Sequence, residues 1–144
     1  MTEADSGAVV RKFFDAMNAH DLDRVAALAG EEVEFVDVAS GEEIRGRERW
    51  REYCERYLKG FPDLRLELTN LVAAGDSAFA EAVAVGTHDG ALQTPAGAIP
   101  PTGRKIEVRF CVVARARDGK IADSREHYDS MTLMTQLGLV PEPA

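Results

Sequence analysis

The sequence is poor in the residue types that mark several common classes of protein. Its 144 residues include two cysteines and three histidines, and they form no CxxC motif and no Cys/His cluster. We therefore predict no metal site, and we interpret Cys54 and Cys111 as buried thiols that pack as small hydrophobic side chains. Apolar runs are also short. None approaches the roughly 20 residues that cross a bilayer, so no membrane association is expected.

Basic residues are outnumbered. The chain has 17 Lys and Arg against 25 Asp and Glu, which gives a formal net charge of −8. An acidic surface repels phosphate backbones, so a nucleic-acid partner is not expected. The arginines at positions 45, 47, 49 and 51 alternate with glutamates and are interpreted as a self-paired helix face. The acidic first residues, MTEADSG, do not resemble a signal peptide, and we expect a cytoplasmic location.

The chain has enough apolar sequence for one hydrophobic core. Hydrophobic residues make up 45% of it, and a chain of this length can bury roughly 70% of its unfolded surface. We find no internal repeat, low-complexity segment or linker. The pattern predicts one domain over residues 1–144.

Helical spacing dominates the first sixty residues. An apolar stripe predicts a first helix capped by Ser6, a second helix begins after Asp21, and a third lies between Gly46 and Gly60. A β-branched and aromatic run predicts a strand over residues 33–38, between the second and third helices.

Alternation of period two follows from Leu64 onward. It predicts strands over 64–68, 77–88, 105–116 and 121–129, with a hairpin turn at Asp118-Gly119. Residues 89–103, rich in Gly, Pro and Thr, are predicted to be a loop and a candidate lid. Helices followed by strands predict an α+β fold, a cone-shaped barrel in which helices cover a strongly curved, mostly antiparallel sheet. The cavity that such a sheet encloses is the expected ligand site.

Three segments of the sequence resemble one known family. The segments are Gly60-Phe61-Pro62-Asp63-Leu64-Arg65-Leu66-Glu67-Leu68, then Gly86-Thr87-His88-Asp89-Gly90 with Pro100-Pro101-Thr102-Gly103-Arg104, and finally Arg117-Asp118-Gly119-Lys120-Ile121 with Glu126-His127-Tyr128-Asp129. Their order and spacing resemble the SnoaL-like polyketide cyclases, within the cone-shaped nuclear-transport-factor-like folds. The resemblance implies an acid–base activity without metal or cofactor, an intramolecular aldol closure in the characterised cyclases.

The resemblance also implies where the base lies. The family's catalytic aspartate falls eight positions after the Asp of the Asp-Gly-Lys-Ile turn, which is Glu126 here. Glu126 is therefore either the base or a rim carboxylate paired with Arg125. The family's pocket histidine corresponds to Val112, which cannot exchange protons, so this chain departs there from the characterised cyclases.

Two further groups on the last predicted strand are acid–base candidates. His127 and Asp129 share one strand face, and a histidine oriented by a carboxylate can exchange protons near neutral pH. They face away from Glu126 unless the strand is distorted. The alternative for Asp129 is the N-cap of a final helix.

Substrate-binding candidates come from the helices and the long strands. The resemblance places Tyr53 and Met17 in the pocket, and helical spacing adds Trp50 and Tyr57 as an aromatic wall. Phe110 and Val112 make the pocket apolar. His88 is either a donor at the pocket mouth or a structural histidine bonded to residues 100–103.

Three functions remain open from the sequence. The first is a cofactor-free cyclase or isomerase acting on a hydrophobic or aromatic carbonyl compound. The second is a related hydroxylase or hydrolase, which needs a more polar pocket, and the third is a non-catalytic binding or scaffold protein. Family members are often dimers through the outer sheet face, and we predict a homodimer, to be checked by light scattering at micromolar concentration.

Overall fold

The computed structural model describes residues 3–140, with side chains described from Ser6 onward. This part contains the helices α1 (Glu3–Asn18), α2 (Leu22–Ala27), α3 (Arg47–Gly60) and α4 (Ser130–Gln136). Its strands are β1 (Ala29–Asp37), β2 (Glu42–Arg45), β3 (Arg65–Ala74), β4 (Ser77–Thr87), β5 (Leu92–Thr94), β6 (Gly97–Ile99), β7 (Lys105–Arg117) and β8 (Lys120–Tyr128). Within residues 3–140, no helix combines the length and apolar character needed to cross a membrane.

Six strands form one mixed sheet in the order β2-β1-β8-β7-β4-β3. Neighbours are antiparallel except β1 and β8, which run parallel. Register shifts interrupt the ladders between β1 and β8, β3 and β4, and β7 and β8, and such bulges bend a strand. Helix α1 packs against β3, β4, β7 and β8, while α3 packs against β1 and β2. The predicted α+β fold is confirmed.

The core lies between these helices and the inner face of the sheet. Along β7, every second side chain from Ile106 to Ala116 is buried and the side chains between them point outward, as the period of a strand requires. Phe14 of α1 stacks on Phe110 with ring centroids 6.1 Å apart. This contact joins the apolar stripe of α1 to the centre of the sheet.

Several local predictions are wrong. Helix α1 includes Glu3, so Ser6 lies inside it, and its hydroxyl lies within hydrogen-bond distance, 3.2 Å, of both the Gly75 and the Ser77 carbonyl oxygens. Arg45 belongs to the short strand β2 and pairs with Glu34 of β1 at 2.9 Å instead of joining a helix face. Four residues are too few to show a strand period. Cys54 is buried as predicted, whereas Cys111 is half-buried.

The segment 89–103 is not a structureless loop. It contains the β5–β6 hairpin, which packs on the end of α3 through the buried side chain of Leu92. The Gly90 amide donates to the Gly60 carbonyl at 3.1 Å, and a side chain at Gly90 would collide with the Lys59 carbonyl. Because the hairpin is fixed on α3, its position does not support the predicted lid.

Candidate active site

A cavity lies between the inner sheet face and the helices α1, α3 and α4. Its volume is about 100 Å³, measured as the space that the centre of a water molecule can occupy. Most of its wall is apolar: Val10, Phe13, Met17, Phe35, Trp50, Phe61, Leu64, Leu66, Ala84, Ile106, Val108, Phe110, Val112, Ala114, Ile121 and Leu133. The remaining lining residues are Tyr53, Cys54, Tyr57, Ser124, Glu126 and Tyr128. Such a cavity suits an organic molecule with a hydrophobic body.

Strand β8 directs three polar side chains, Ser124, Glu126 and Tyr128, into this cavity. The register of β8 against β7 shifts at Ala122, so Ile121 and Ser124 both face inward although they are three residues apart. Beyond the shift, ordinary alternation turns Glu126 and Tyr128 inward as well. Glu126 stands between Val112 of β7 and Asp37 of β1, its register partners on either side.

A network of hydrogen bonds joins these groups. The Tyr53 hydroxyl of α3 lies 2.8 Å from Oδ2 of Asp37 and 2.9 Å from Oε2 of Glu126. The Tyr128 hydroxyl donates to the same Oδ2 of Asp37 at 3.0 Å. Tyr57, one turn after Tyr53, packs its ring 5.1 Å from that of Tyr53 and lies near enough to Tyr53 and Tyr128 for their hydroxyls to affect its pKa. Two carboxyl groups and three phenols therefore share one end of the cavity.

The surroundings change the proton affinities of these groups. Burial raises the pKa of Glu126 to about 7, the hydrogen bond from Tyr53 opposes this rise, and the charge of Asp37 adds to it. Burial also raises the pKa of Tyr53 and takes that of Tyr57 to about 12. Near neutral pH, Glu126 can thus gain or lose a proton, while the phenols stay protonated and act as hydrogen-bond donors.

Cys54 lines the same end of the cavity as a neutral thiol. Burial raises its pKa far above the ordinary value, and the nearby charge of Glu126 acts in the same direction. A thiol in such a place is a poor nucleophile, because the thiolate is the reactive form.

An ion pair fixes the end of α3 that carries the tyrosines. One guanidinium nitrogen of Arg56 contacts both carboxylate oxygens of Glu42 at 2.9 and 2.8 Å. The same guanidinium lies 5.0 Å above the ring centre of Tyr53, within the range of a cation–π contact. Glu42 of β2 is the register partner of Asp37 in the β1–β2 ladder. The Arg56–Glu42 ion pair therefore connects α3 to the strand beside β1, which carries Asp37.

Seven of the candidate residues predicted from the sequence line the cavity. They are Met17, Trp50, Tyr53, Tyr57, Phe110, Val112 and Glu126. The Arg125 side chain is exposed, on the opposite face from Glu126, and the contact of Glu126 is with Tyr53, so the rim interpretation does not hold. The roles of these residues in binding and catalysis remain predictions.

Two of the three acid–base candidates lie outside the cavity. His127 is exposed on the outer face of the sheet, opposite Cys111 of β7, because it alternates with Glu126. Asp129 caps α4, where its carboxylate accepts from the Met131 amide at 3.0 Å and the Thr132 hydroxyl at 2.9 Å. The prediction that His127 and Asp129 act as an acid–base pair in the pocket is wrong for this geometry.

His88 is buried and does not line the cavity. Its Nδ1 accepts from the Thr102 amide at 3.2 Å and lies 3.0 Å from the Thr102 hydroxyl, and its ring packs on Phe61. Burial lowers its pKa, which favours the neutral imidazole that these contacts require. The predicted role of His88 as a donor at the pocket mouth is therefore wrong, and the structural alternative holds.

Sequence reasoning missed Asp37 and Tyr128. Asp37 is 1% exposed and lies behind Tyr53 and Tyr128 instead of in the cavity wall. A signal was present, since Asp37 shares the period-two face of Val33 and Phe35, both buried. An acid on the apolar face of a strand is a candidate functional residue, because burying a lone carboxylate is costly.

Among residues 3–140, no group of three or more His, Cys, Asp and Glu side chains is arranged to hold a metal ion. The polar groups that meet at the cavity are carboxyls, phenols, a thiol and a hydroxyl, which suits proton transfer and hydrogen bonding.

Solved structures share this architecture. A candidate SnoaL-like polyketide cyclase from Jannaschia sp. CCS1 is 22% identical, with a TM-score of 0.84 over 96% of this chain and 94% of that chain. IdmH, a candidate polyketide cyclase from Streptomyces antibioticus, is 27% identical, with a TM-score of 0.74 over 92% and 98%. A protein with a ketosteroid isomerase-like fold from Catenulispora acidiphila is 23% identical, with a TM-score of 0.77 over 94% and 97%.

These likenesses define the class as the ketosteroid isomerase-like, nuclear-transport-factor-like fold. Among curated proteins, no sequence matches the chain significantly. The family model for SnoaL-like polyketide cyclases matches residues 8–137. The chain therefore belongs to the SnoaL-like polyketide cyclase family, as its motifs indicated.

Proposed function

We propose that this protein is an acid–base enzyme that removes a proton α to a carbonyl group of a compact, hydrophobic molecule, with Glu126 as the base and no requirement for a cofactor. The observation that carries the proposal is the carboxyl group of Glu126 in an apolar cavity, where its pKa is raised to about 7. A base is most effective when its pKa lies near the working pH.

The reaction needs one proton acceptor and one stabiliser of negative charge. The Glu126 carboxylate takes the α proton, the C–H electron pair forms a carbon–carbon double bond, and the carbonyl oxygen becomes an enolate. The Tyr57 hydroxyl lines the cavity beside those of Tyr53 and Tyr128 and can donate to that oxygen. Donors placed in a dry site stabilise developing charge strongly.

Two outcomes can follow from the enolate. Its carbon can attack a second carbonyl of the same molecule and close a ring, or protonated Glu126 can return the proton to another carbon. Isomerisation needs no second acid. Val112 stands opposite Glu126 and supplies none, which favours isomerisation over cyclisation.

The wall also restricts the substrate. The carboxyls and phenols gather around Glu126, while the lining from α1 and β7 is apolar. A molecule with its carbonyl at one end and a hydrocarbon or aromatic body fits this division. A hydroxylase or hydrolase that activates water would be expected to need more polar groups across the cavity than these.

The test is exchange of α hydrogens for deuterium in D₂O, followed by proton NMR with 2-tetralone and cyclohex-2-enone. We expect acceleration over buffer by the wild-type protein and a loss of about 10²- to 10⁴-fold in E126Q. The matched control is E81Q, because Glu81 is exposed and lines a surface pocket on the outer face of the sheet.

The comparison of E126Q with the control E81Q decides whether Glu126 is the base. Exchange retained in E126Q would contradict the assignment of the base. Binding of 2-tetralone without any accelerated exchange would contradict catalysis and indicate a ligand-binding protein.

A further inference from the structure

The inference begins with a count of protons around Tyr53. A phenol has one hydroxyl proton, and the Tyr53 hydroxyl lies within hydrogen-bond distance of two carboxyl oxygens, Oδ2 of Asp37 at 2.8 Å and Oε2 of Glu126 at 2.9 Å. One proton cannot make two full hydrogen bonds at once. If both contacts are hydrogen bonds, either the Tyr53 proton is shared between the two carboxyl oxygens, or one contact uses a proton from another group.

Two arrangements satisfy the geometry. When Glu126 is ionised, Tyr53 donates to Glu126. When Glu126 is protonated, its own O–H donates to the Tyr53 oxygen, and the Tyr53 proton turns to Asp37. The distances of 2.8 and 2.9 Å suit both arrangements, so the two differ by one proton on Glu126 and by the direction of the Tyr53 hydroxyl hydrogen.

Asp37 is held ready for either arrangement. Its Oδ1 accepts from the Ser40 amide at 3.0 Å, and its Oδ2 accepts from the Tyr128 hydroxyl at 3.0 Å. Asp37 therefore keeps two donors when the Tyr53 proton turns away, as a buried carboxylate requires. It does not line the cavity, so it has no direct access to a ligand there.

We propose that Asp37 is a positioning residue that accepts the Tyr53 hydroxyl proton whenever Glu126 is protonated, so that this proton alternates between the two carboxylates during turnover. In each cycle Glu126 gains the substrate's α proton and later gives it up, while Tyr53 turns to Asp37 and back. At the end of each cycle the network holds the same number of protons as at the start. The role in turnover rests on the proposed function, whereas the alternation itself is a property of the free protein.

Other groups around Glu126 leave this alternation undisturbed near neutral pH. Besides Tyr53 and Asp37, the ionisable side chains at this end of the cavity include Cys54 and Tyr57 of α3 and Tyr128 of β8, which line it, and Arg56, whose guanidinium lies over the Tyr53 ring. Arg56 is paired with Glu42, and burial keeps the thiol and phenols protonated. Asp37 and Tyr53 then act on Glu126 in opposite directions, the charge of Asp37 raising its pKa and the Tyr53 hydrogen bond lowering it.

The experiment is a titration of the Glu126 carboxyl by ¹³C NMR in glutamate-labelled protein, with its signal assigned by its absence in E126Q. We expect D37N to move the midpoint to lower pH by about one pH unit and Y53F to move it upward. D63N is the matched control, because Asp63 is an exposed carboxylate bonded to Thr87. It should leave the midpoint in place.

Y128F provides a test in which both carboxylates remain. Without the Tyr128 donor, Asp37 competes more strongly for the Tyr53 proton, so the Glu126 midpoint should rise. A purely structural Asp37 would leave the midpoint unmoved in D37N and Y128F, and that result would overturn the inference. Shifted midpoints without ketone exchange would support the alternation and contradict the proposed function, so the two failures are distinguishable.

Discussion

Glu126 and His127 are neighbours in the chain and lie in opposite environments. The first projects into an apolar cavity among phenols, and the second lies on the exposed outer face of the sheet. Both side chains are common general bases, and on its own the imidazole is the better matched to neutral pH. The strand alternation decides which one is placed to act, and burial then brings the pKa of the carboxyl to about 7. Position on the sheet outweighs the intrinsic chemistry of the side chain.

The core and the outer face of the sheet also differ in how much of their aromatic side chains is exposed. Phe14 is 2% exposed in the core and Phe79 is 44% exposed on β4. We expect F14A to lower the free energy of unfolding by about 3–5 kcal/mol and F79A by less than about 0.5 kcal/mol. Urea denaturation measures both. Equal losses would mean that the outer face is covered in solution, as a dimer through that face would cover it.

The half-buried Glu126 carboxyl in the cavity should make stability depend on pH in a recognisable way. Between its ordinary pKa of 4.5 and its folded pKa of about 7, Glu126 stays protonated in the folded protein and is ionised in the unfolded chain. The contribution of Glu126 to the free energy of unfolding is therefore fully present below pH 4.5. It is lost as pH rises through about 7, which lowers the free energy of unfolding by up to about 3 kcal/mol. E126Q should lack this loss, seen by denaturation from pH 4 to 8. A parallel pH dependence in both proteins would contradict the burial.

His88 is buried, but it lies outside the cavity and has no role in the proposed reaction. It is as buried as any core residue but holds the 89–103 segment through Thr102. H88A should lower the free energy of unfolding by about 1–3 kcal/mol and speed amide exchange at Gly103, whose N–H donates to the His88 carbonyl. Deuterium exchange into 2-tetralone should stay within about twofold of wild type at a temperature where the variant is folded. A larger loss of exchange would link the segment to catalysis.

The smallest effect is expected on the outer side of β8. H127Q should change the free energy of unfolding by less than about 0.5 kcal/mol, because the side chain is exposed. Ketone exchange should also stay close to that of wild type. A loss comparable to that of E126Q would restore His127 as an acid–base residue.

Much of the fold could be predicted because its signals are local. The hairpin at Asp118-Gly119 has both residues at positive φ, as its sequence predicts, and alternation along β7 placed Val112 on the same face as Phe110, where the structure has it. The parallel pairing of β1 with β8 could not be predicted. It joins residues almost ninety positions apart, and no turn sequence encodes it.

The site was predicted in part for the same reason. Glu126 and Tyr53 were predicted from the resemblance to the family. The apolar strand face that Asp37 shares with Val33 and Phe35 marks it as a candidate, but its contact with the site depends on the β1–β8 pairing. Short elements were missed as well. Strands β5 and β6 have three residues each, which is too short for a period to emerge from a segment rich in Gly and Pro.

The pH dependence of ketone exchange tests the role of Glu126 most directly. With the wild-type protein, the rate of deuterium incorporation into 2-tetralone should climb about tenfold per pH unit at low pH and level off near the pKa of about 7 expected for Glu126. E126Q should show a low rate without this inflection. A wild-type profile that levels off near 4.5, the ordinary value, or an inflection that survives in E126Q, would contradict Glu126 as the base in the cavity.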